Sequence, residues 1–189
     1  RLKNEKHRIN PREYEKYKEK KEDVSNKIQS IKEEIKKGRI SMLESRLSPE
    51  ANIKYIDINI GGKTKKELIQ KMERRHILID DDSKEVMNNK AFATLKESQE
   101  VTIMILTGSD LGFEDPPTTQ EVYQKAKELG LYLCPAEVGL HLRLEYGASN
   151  DVMIAMKEIY LSDDFGVIFY LTYNHSGAQY QLRCTRHSA

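Results

Sequence analysis

The stretch from Gly130 to Tyr146 constrains this chain more than any other, because it sets a helix stop, a rigid turn and an alternating ladder end to end. Gly130 closes the apolar-periodic segment that precedes it, Cys134-Pro135-Ala136-Glu137-Val138-Gly139 forms the turn, and Leu140, Leu142, Leu144 and Tyr146 then alternate with His141, Arg143 and Glu145. Strict alternation is the signature of a half-buried strand, so the leucines are expected to face a core and the three polar residues to face outward. Pro135 fixes the backbone entering the ladder, and Glu137 is suited to the start of a helical turn, where negative charge is favoured.

The flanking segments predict capped helices and short strands. Thr118 with Glu121 is a capping box, and Val122, Tyr123, Ala126 and Leu129 give the following helix one apolar side. Thr64 with Glu67 is a second capping box, after a strand over 53–60 that places Ile56, Ile58 and Ile60 on one face. Between them Gly61-Gly62-Lys63-Thr64 invites a phosphate-loop reading, but Asp57 stands where that loop needs its first glycine, so a turn and a cap account for the residues. Asp80-Asp81-Asp82-Ser83 lacks the alternating spacing of a calcium loop and reads as favourable charge at a helix start. The run from Val101 to Leu106 is expected to be the central strand. Beyond the ladder, segments 152–159, 167–173 and 179–185 are separated by turn residues, which completes a four-stranded antiparallel meander.

The N-terminal quarter is of another kind. Asn10-Pro11-Arg12-Glu13 is a helix start, and Tyr14, Tyr17, Lys21, Val24, Ile28, Ile31 and Ile35 then recur at spacings of three and four, with Gly38 placed to end the helix. A second short helix is expected from Ser41 to Leu47, and Pro49 marks the boundary of the body. So narrow an apolar seam is not stable alone in water and must pair with another helix or lie on the main domain. The expected organisation is a helical arm over 1–48, coiled-coil-like, followed by an α+β domain over 49–189 with capped helices on a mostly antiparallel sheet.

Charge and cysteine usage narrow the function classes. Of 189 residues 32% are charged, and the net charge of +1 hides an asymmetry: residues 1–47 hold 15 Lys/Arg against 9 Asp/Glu, a net +6, while the remainder is −5. Glutamates interleaved in the basic arm make nucleic acid a weaker partner than protein. Cys134 and Cys184 have no paired spacing, and His7, His76 and His187 show no metal-ligand pattern, so neither metal nor cofactor is expected and a reducing, cytoplasmic setting is. No apolar run approaches the ~20 residues that cross a bilayer, and no signal pattern opens the chain, so no membrane partner is expected. The start on Arg1 rather than Met is expected of a piece of a longer polypeptide.

The segment LGLYLCPAEVGLHLRLEYG resembles one found in a family of uncharacterised bacterial proteins, in which a Thr-capped helix runs into a Cys-Pro-Ala-Glu-Val-Gly turn and a leucine-arginine-leucine stretch. The resemblance spans roughly residues 60–173 and rests on 118–146; position 140 is Leu here and proline in the family pattern. It implies a recurrent structural unit and brings no activity with it.

Two functional readings follow. The leading one is an interaction or ligand-binding module, with a protein partner or a second copy held through Tyr17, Val24, Ile28, Ile31 and Ile35. The alternative is a small hydrolase or transferase, directed to nucleotide or RNA, that uses Glu137, His141, Arg143 and Glu145 on the polar face after the turn, Arg143 holding an anion and His141 or Glu137 moving a proton. Cys134 as a nucleophile would need His141 or His175 as its base, and packing as a small apolar group is the simpler role. Arg183 and Arg186 are placed either to hold phosphate or to protect a sheet edge.

Overall fold

A computed structural model of the chain describes residues 11–49, 51–147 and 151–187. In chain order the elements are α1 (Pro11–Glu44), β1 (Lys54–Ile60), α2 (Lys65–Arg74), β2 (Leu78–Ile79), α3 (Asp81–Asn88), β3 (Gln99–Ile105), α4 (Thr119–Glu128), α5 (Glu137–Glu145), β4 (Val152–Met153), β5 (Ile159–Tyr160), β6 (Gly166–Asn174) and β7 (Gln179–His187). A long N-terminal helix thus precedes a small domain of helices and mostly antiparallel sheets, an α+β architecture. The chain separates into two compact units between Arg46 and Leu47.

The first unit is built on α1, one unbroken helix of 34 residues, about 50 Å long at 1.5 Å per residue. The stop expected at Gly38 does not occur, and the separate helix expected from Ser41 is the last part of α1. Gly38 costs about 1 kcal/mol relative to alanine inside a helix, but no proline follows it and its φ is not left-handed, so the good helix formers around it carry the helix through. On the helix surface Lys27 bonds Asp23 at 2.8 Å and Gln29 bonds Glu33 at 3.3 Å, pairs at i,i+4 that support an exposed helix.

The second unit contains two sheets. β1 and β3 pair antiparallel, with Ile58 opposite Val101 and Ile56 opposite Ile103. The run expected to be the central strand is therefore one half of a two-stranded ribbon, and its residues are only half-buried over 101–105. The larger sheet has the order β2-β7-β6-β4, with β5 also pairing with β6; the β2–β7 pair is parallel and the others are antiparallel. The strand expected over 152–159 is broken into β4 and β5, two residues each, because the chain between them leaves β6 before rejoining it.

The principal correction concerns the ladder after the Cys-Pro turn, which is the helix α5 and not a strand. Its leucines and its charged residues lie inside together: every residue from Glu137 to Leu144 is buried. α5 contacts β1, β6, β7 and α2. A nine-residue helix is too short to persist alone, and these surroundings supply what it lacks. Its fit on β6 is close, since a Cβ on Gly139 would lie 3.0 to 3.2 Å from three atoms of Phe169. The two expected capping boxes are both present, at Thr64 with Glu67 and at Thr118 with Glu121, and Gly130 takes the left-handed φ of 77° that ends α4.

Candidate functional site

Glu137 is the first residue of α5, and its side chain is fully shielded. One carboxylate oxygen, Oε1, accepts from the Leu95 amide at 2.9 Å, and the other, Oε2, accepts from the Gly61 amide at 3.2 Å. One side chain thereby ties three segments that are far apart in sequence: the start of α5, the turn after β1 and the loop before β3. This gives Gly61-Gly62-Lys63-Thr64 its role. Gly61 has φ +75°, and a Cβ there would sit 2.2 Å from the Glu97 carbonyl oxygen, so only glycine lets the turn approach the 95–97 loop. Gly62 donates to the Leu95 carbonyl at 3.0 Å, and Thr64 caps α2.

His141 lies one helical turn beyond Glu137, 1% exposed, with Nε2 3.5 Å from Glu137 Oε2. That separation is too long for a hydrogen bond, and Nε2 has no hydrogen-bond partner among the described residues. Burial pushes the imidazole pKa below its ordinary value, as does Lys63, while Glu137, Glu145 and a hydrogen bond to the Asn59 backbone pull it up. Glu137 already accepts from two backbone N–H groups, so the ring borders a carboxylate whose oxygens are both engaged.

Arg143 is 3% exposed. Its guanidinium donates to the carbonyls of Tyr146 at 2.6 Å and Thr172 at 3.3 Å and stacks over the Tyr180 ring at 4.4 Å. Burial lowers its pKa from the usual arginine value, against Tyr180 and Tyr146. Arg75 donates to the carbonyl of Leu144 and so satisfies the far end of α5. Of the four residues expected to share an outward polar face, only Glu145 is exposed. Glu137 and His141 meet each other, and Arg143 is engaged with carbonyl groups and an aromatic ring of its own domain. The expected open face is replaced by a buried polar spine.

The remaining chemistry-bearing residues are similarly engaged. Cys134 is half-buried, its amide donates to the Ala155 carbonyl at 2.7 Å, and burial pushes its thiol up to about 11. Cys184 contacts Ser83 Oγ at 3.5 Å and is pushed up to about 12, chiefly by burial. Neither supplies a thiolate near neutral pH. His175 is exposed in the β6–β7 turn and packs edge-on against Tyr173.

Asp80 caps α3 by accepting from Ser83 N at 2.8 Å and also accepts from Cys184 N at 3.3 Å. Asp81 pairs with Lys84 at 2.8 Å, and Asp82 takes a two-pronged contact from Arg186 at 3.1 and 3.2 Å. Arg186 also reaches Asp163 at 2.6 Å, and Arg183 stands 3.6 Å from Asp80. These two arginines, candidates for phosphate binding or for an edge, hold β7 to the aspartates of α3 and the turn before β6. Among the described residues, no group of three or more His, Cys, Asp or Glu side chains is arranged to hold a metal ion.

The open chemistry lies on α1. Tyr14, Tyr17, Val24, Ile28, Ile31 and Ile35 are all exposed, and the seam extends beyond them to Met42, 56% exposed. The assumed stop at Gly38 hides Met42 from a sequence reading, although it stands seven residues after Ile35, on the heptad. No helix among the described residues is long and apolar enough to cross a membrane. A shallow surface depression along α4 is lined by Phe113, Tyr123, Leu131, Tyr132 and Leu133 among others. No protein-family model, no curated protein and no solved structure matches this chain.

Proposed function

We propose that this protein is an interaction module that associates through α1, with the α+β unit as the body it carries. The observation behind this reading is the apolar seam of α1, in which Val24, Ile28, Ile31 and Ile35 are each about half exposed at heptad spacing. Apolar side chains scattered singly need no explanation, whereas a stripe of exposed apolar residues at heptad spacing, broken only at Lys21 and Gly38, favours a partner helix. The body supports the same reading, because Glu137 and Arg143 at the Cys-Pro junction are directed at its own backbone. Free, half-buried thiols suit a reducing compartment such as the cytoplasm.

The test is sedimentation of the full chain beside the double variant Ile28→Asp/Ile31→Asp. The parent chain should self-associate or retain a partner, and the variant should lose that property with an unchanged unfolding transition for the body. Monomeric behaviour and identical partner retention in both would remove α1 from the function.

A further inference from the structure

The charges beside the seam select the kind of partner it takes. We infer that α1 receives an amphipathic helix of another protein whose own apolar seam is flanked by glutamate or aspartate; this rests on the association through α1 proposed above.

Tyr14, Lys21, Ile28, Ile35 and Met42 occupy one row of the seam, and Tyr17, Val24, Ile31 and Gly38 the other. Between Tyr14 and Met42 the row that follows the second reads Lys18, Ser25, Lys32 and Arg39, and the row that precedes the first reads Lys20, Lys27, Glu34 and Ser41. Five cations thus border the seam against one carboxylate, and Lys21 adds a further cation within it. The other carboxylates of this stretch, Glu15, Glu19, Glu22, Asp23 and Glu33, fall on the three rows turned away from the seam.

Residues immediately beside a heptad seam meet the flanks of the partner helix and set which partner is accepted. The five flanking cations are all exposed, and among the described residues only Lys27 has an ion pair, with Asp23 at 2.8 Å on its own helix. A second copy would set these cations against one another whichever way it lay, so the seam calls for flanks of opposite sign. From within the seam, Lys21 reaches the same acidic flank along its stem.

The shape of the stripe favours a helix over a lipid surface. It is two rows wide and rich in Val and Ile, which seat as knobs between the residues of a facing helix, whereas a helix lying in a membrane surface carries a broad face of bulky apolar groups. Over Pro11–Glu44 there are 10 Lys/Arg against 8 Asp/Glu, too even a balance to bind phosphates by charge alone.

The experiment uses the full chain and two synthetic heptad helices with the same Ile/Leu seam, one carrying Glu at every flanking position and the other Lys. The Glu-flanked helix should bind at least about tenfold more tightly, and the difference should shrink as salt rises. Lys32→Glu/Arg39→Glu should erase the preference without altering the unfolding of the body, since Lys18, Lys20 and Lys27 then stand against three carboxylates. Ile28→Asp/Ile31→Asp should abolish binding of the Glu-flanked helix, which separates the seam from charge attraction in general.

Equal affinity for the two helices, no binding of the Glu-flanked one, or tighter binding to mixed phosphatidylcholine and phosphatidylserine vesicles would overturn the acidic partner. A dimer of the full chain that Ile28→Asp/Ile31→Asp dissociates would also overturn it, while leaving the association through α1 standing.

Discussion

α1 and α5 are inverted versions of each other. α1 shows its isoleucines to the surroundings, while α5 encloses a glutamate, a histidine and an arginine beside its leucines. Composition alone predicts neither. α5 tolerates Glu137 and Arg143 because each meets backbone groups: the Gly61 and Leu95 amides for Glu137, and the Thr172 and Tyr146 carbonyls for Arg143. His141 differs, because burial tilts it toward its neutral form and its Nε2 is unbonded among the described residues. Along its seam from Tyr14 to Ile35, α1 has no such enclosure, and side-chain pairs at i,i+4 on its own surface support it. The difference teaches that a helix is made internal by the partners its polar groups find.

The two helices should therefore respond oppositely to the same substitution. Leu142→Ala, at a position with no exposed surface, should cost about 2–5 kcal/mol in a urea unfolding experiment. A loss below about 1 kcal/mol would mean that α5 is not enclosed. Glu137→Gln keeps one acceptor and turns an amide N–H₂ toward the other backbone donor, so about 1–3 kcal/mol should be lost. Amide exchange at Gly61 and Leu95 should quicken with it, and unchanged protection at both would detach Glu137 from the loops.

Acid sharpens the contrast. Burial holds the His141 pKa below the ordinary 6.5, so the unfolded chain takes up its proton first as pH falls. Its contribution is complete above about 6.5 and drains away below that value. Asp110 behaves likewise at lower pH: hydrogen bonds from Thr107 hold its carboxyl below the ordinary 3.8, and the stability it lends is lost as pH falls through its folded value. His141→Gln should flatten the stability profile between pH 7.5 and 5.5 while leaving the steeper fall in stronger acid. A slope identical to the parent's would show that another group titrates there. The smallest effect belongs to α1, where Ile31→Ala should move the unfolding of the body by less than about 0.5 kcal/mol and yet weaken association.

Local chemistry made much of the fold legible. Both capping boxes, the Gly130 stop and the β6–β7 hairpin follow from residues within a few positions of each other, where side chain and backbone negotiate directly. α5 was not legible because leucine at every second position mimics a strand, and a helix buried on all sides has no polar face to reveal a period of 3.6. The signal that points the right way is Pro135 with Glu137, a proline and an acid at the first turn. The pairing of Val101–Ile105 was hidden for a related reason: a continuous apolar run fits a central strand or a ribbon lying on a helix equally well. Of the candidate site, the seam on α1 was visible at seven positions from Tyr14 to Ile35, and only Met42 was missed. The enclosure of Glu137, His141 and Arg143 depends on Gly61, Leu95, Tyr146, Thr172 and Tyr180, most of them distant in sequence.

The place of β7 has a consequence for biosynthesis. That strand lies between β2 and β6, and its Cys184 amide reaches back 104 residues to the Asp80 carboxylate that starts α3. As the polypeptide leaves the ribosome, β2 must wait for almost the entire body before its neighbour exists, and loops of such length close slowly. Nascent chains halted before Gln179 would expose the flank of β6 without its mate, an invitation to chaperones that the finished protein withdraws.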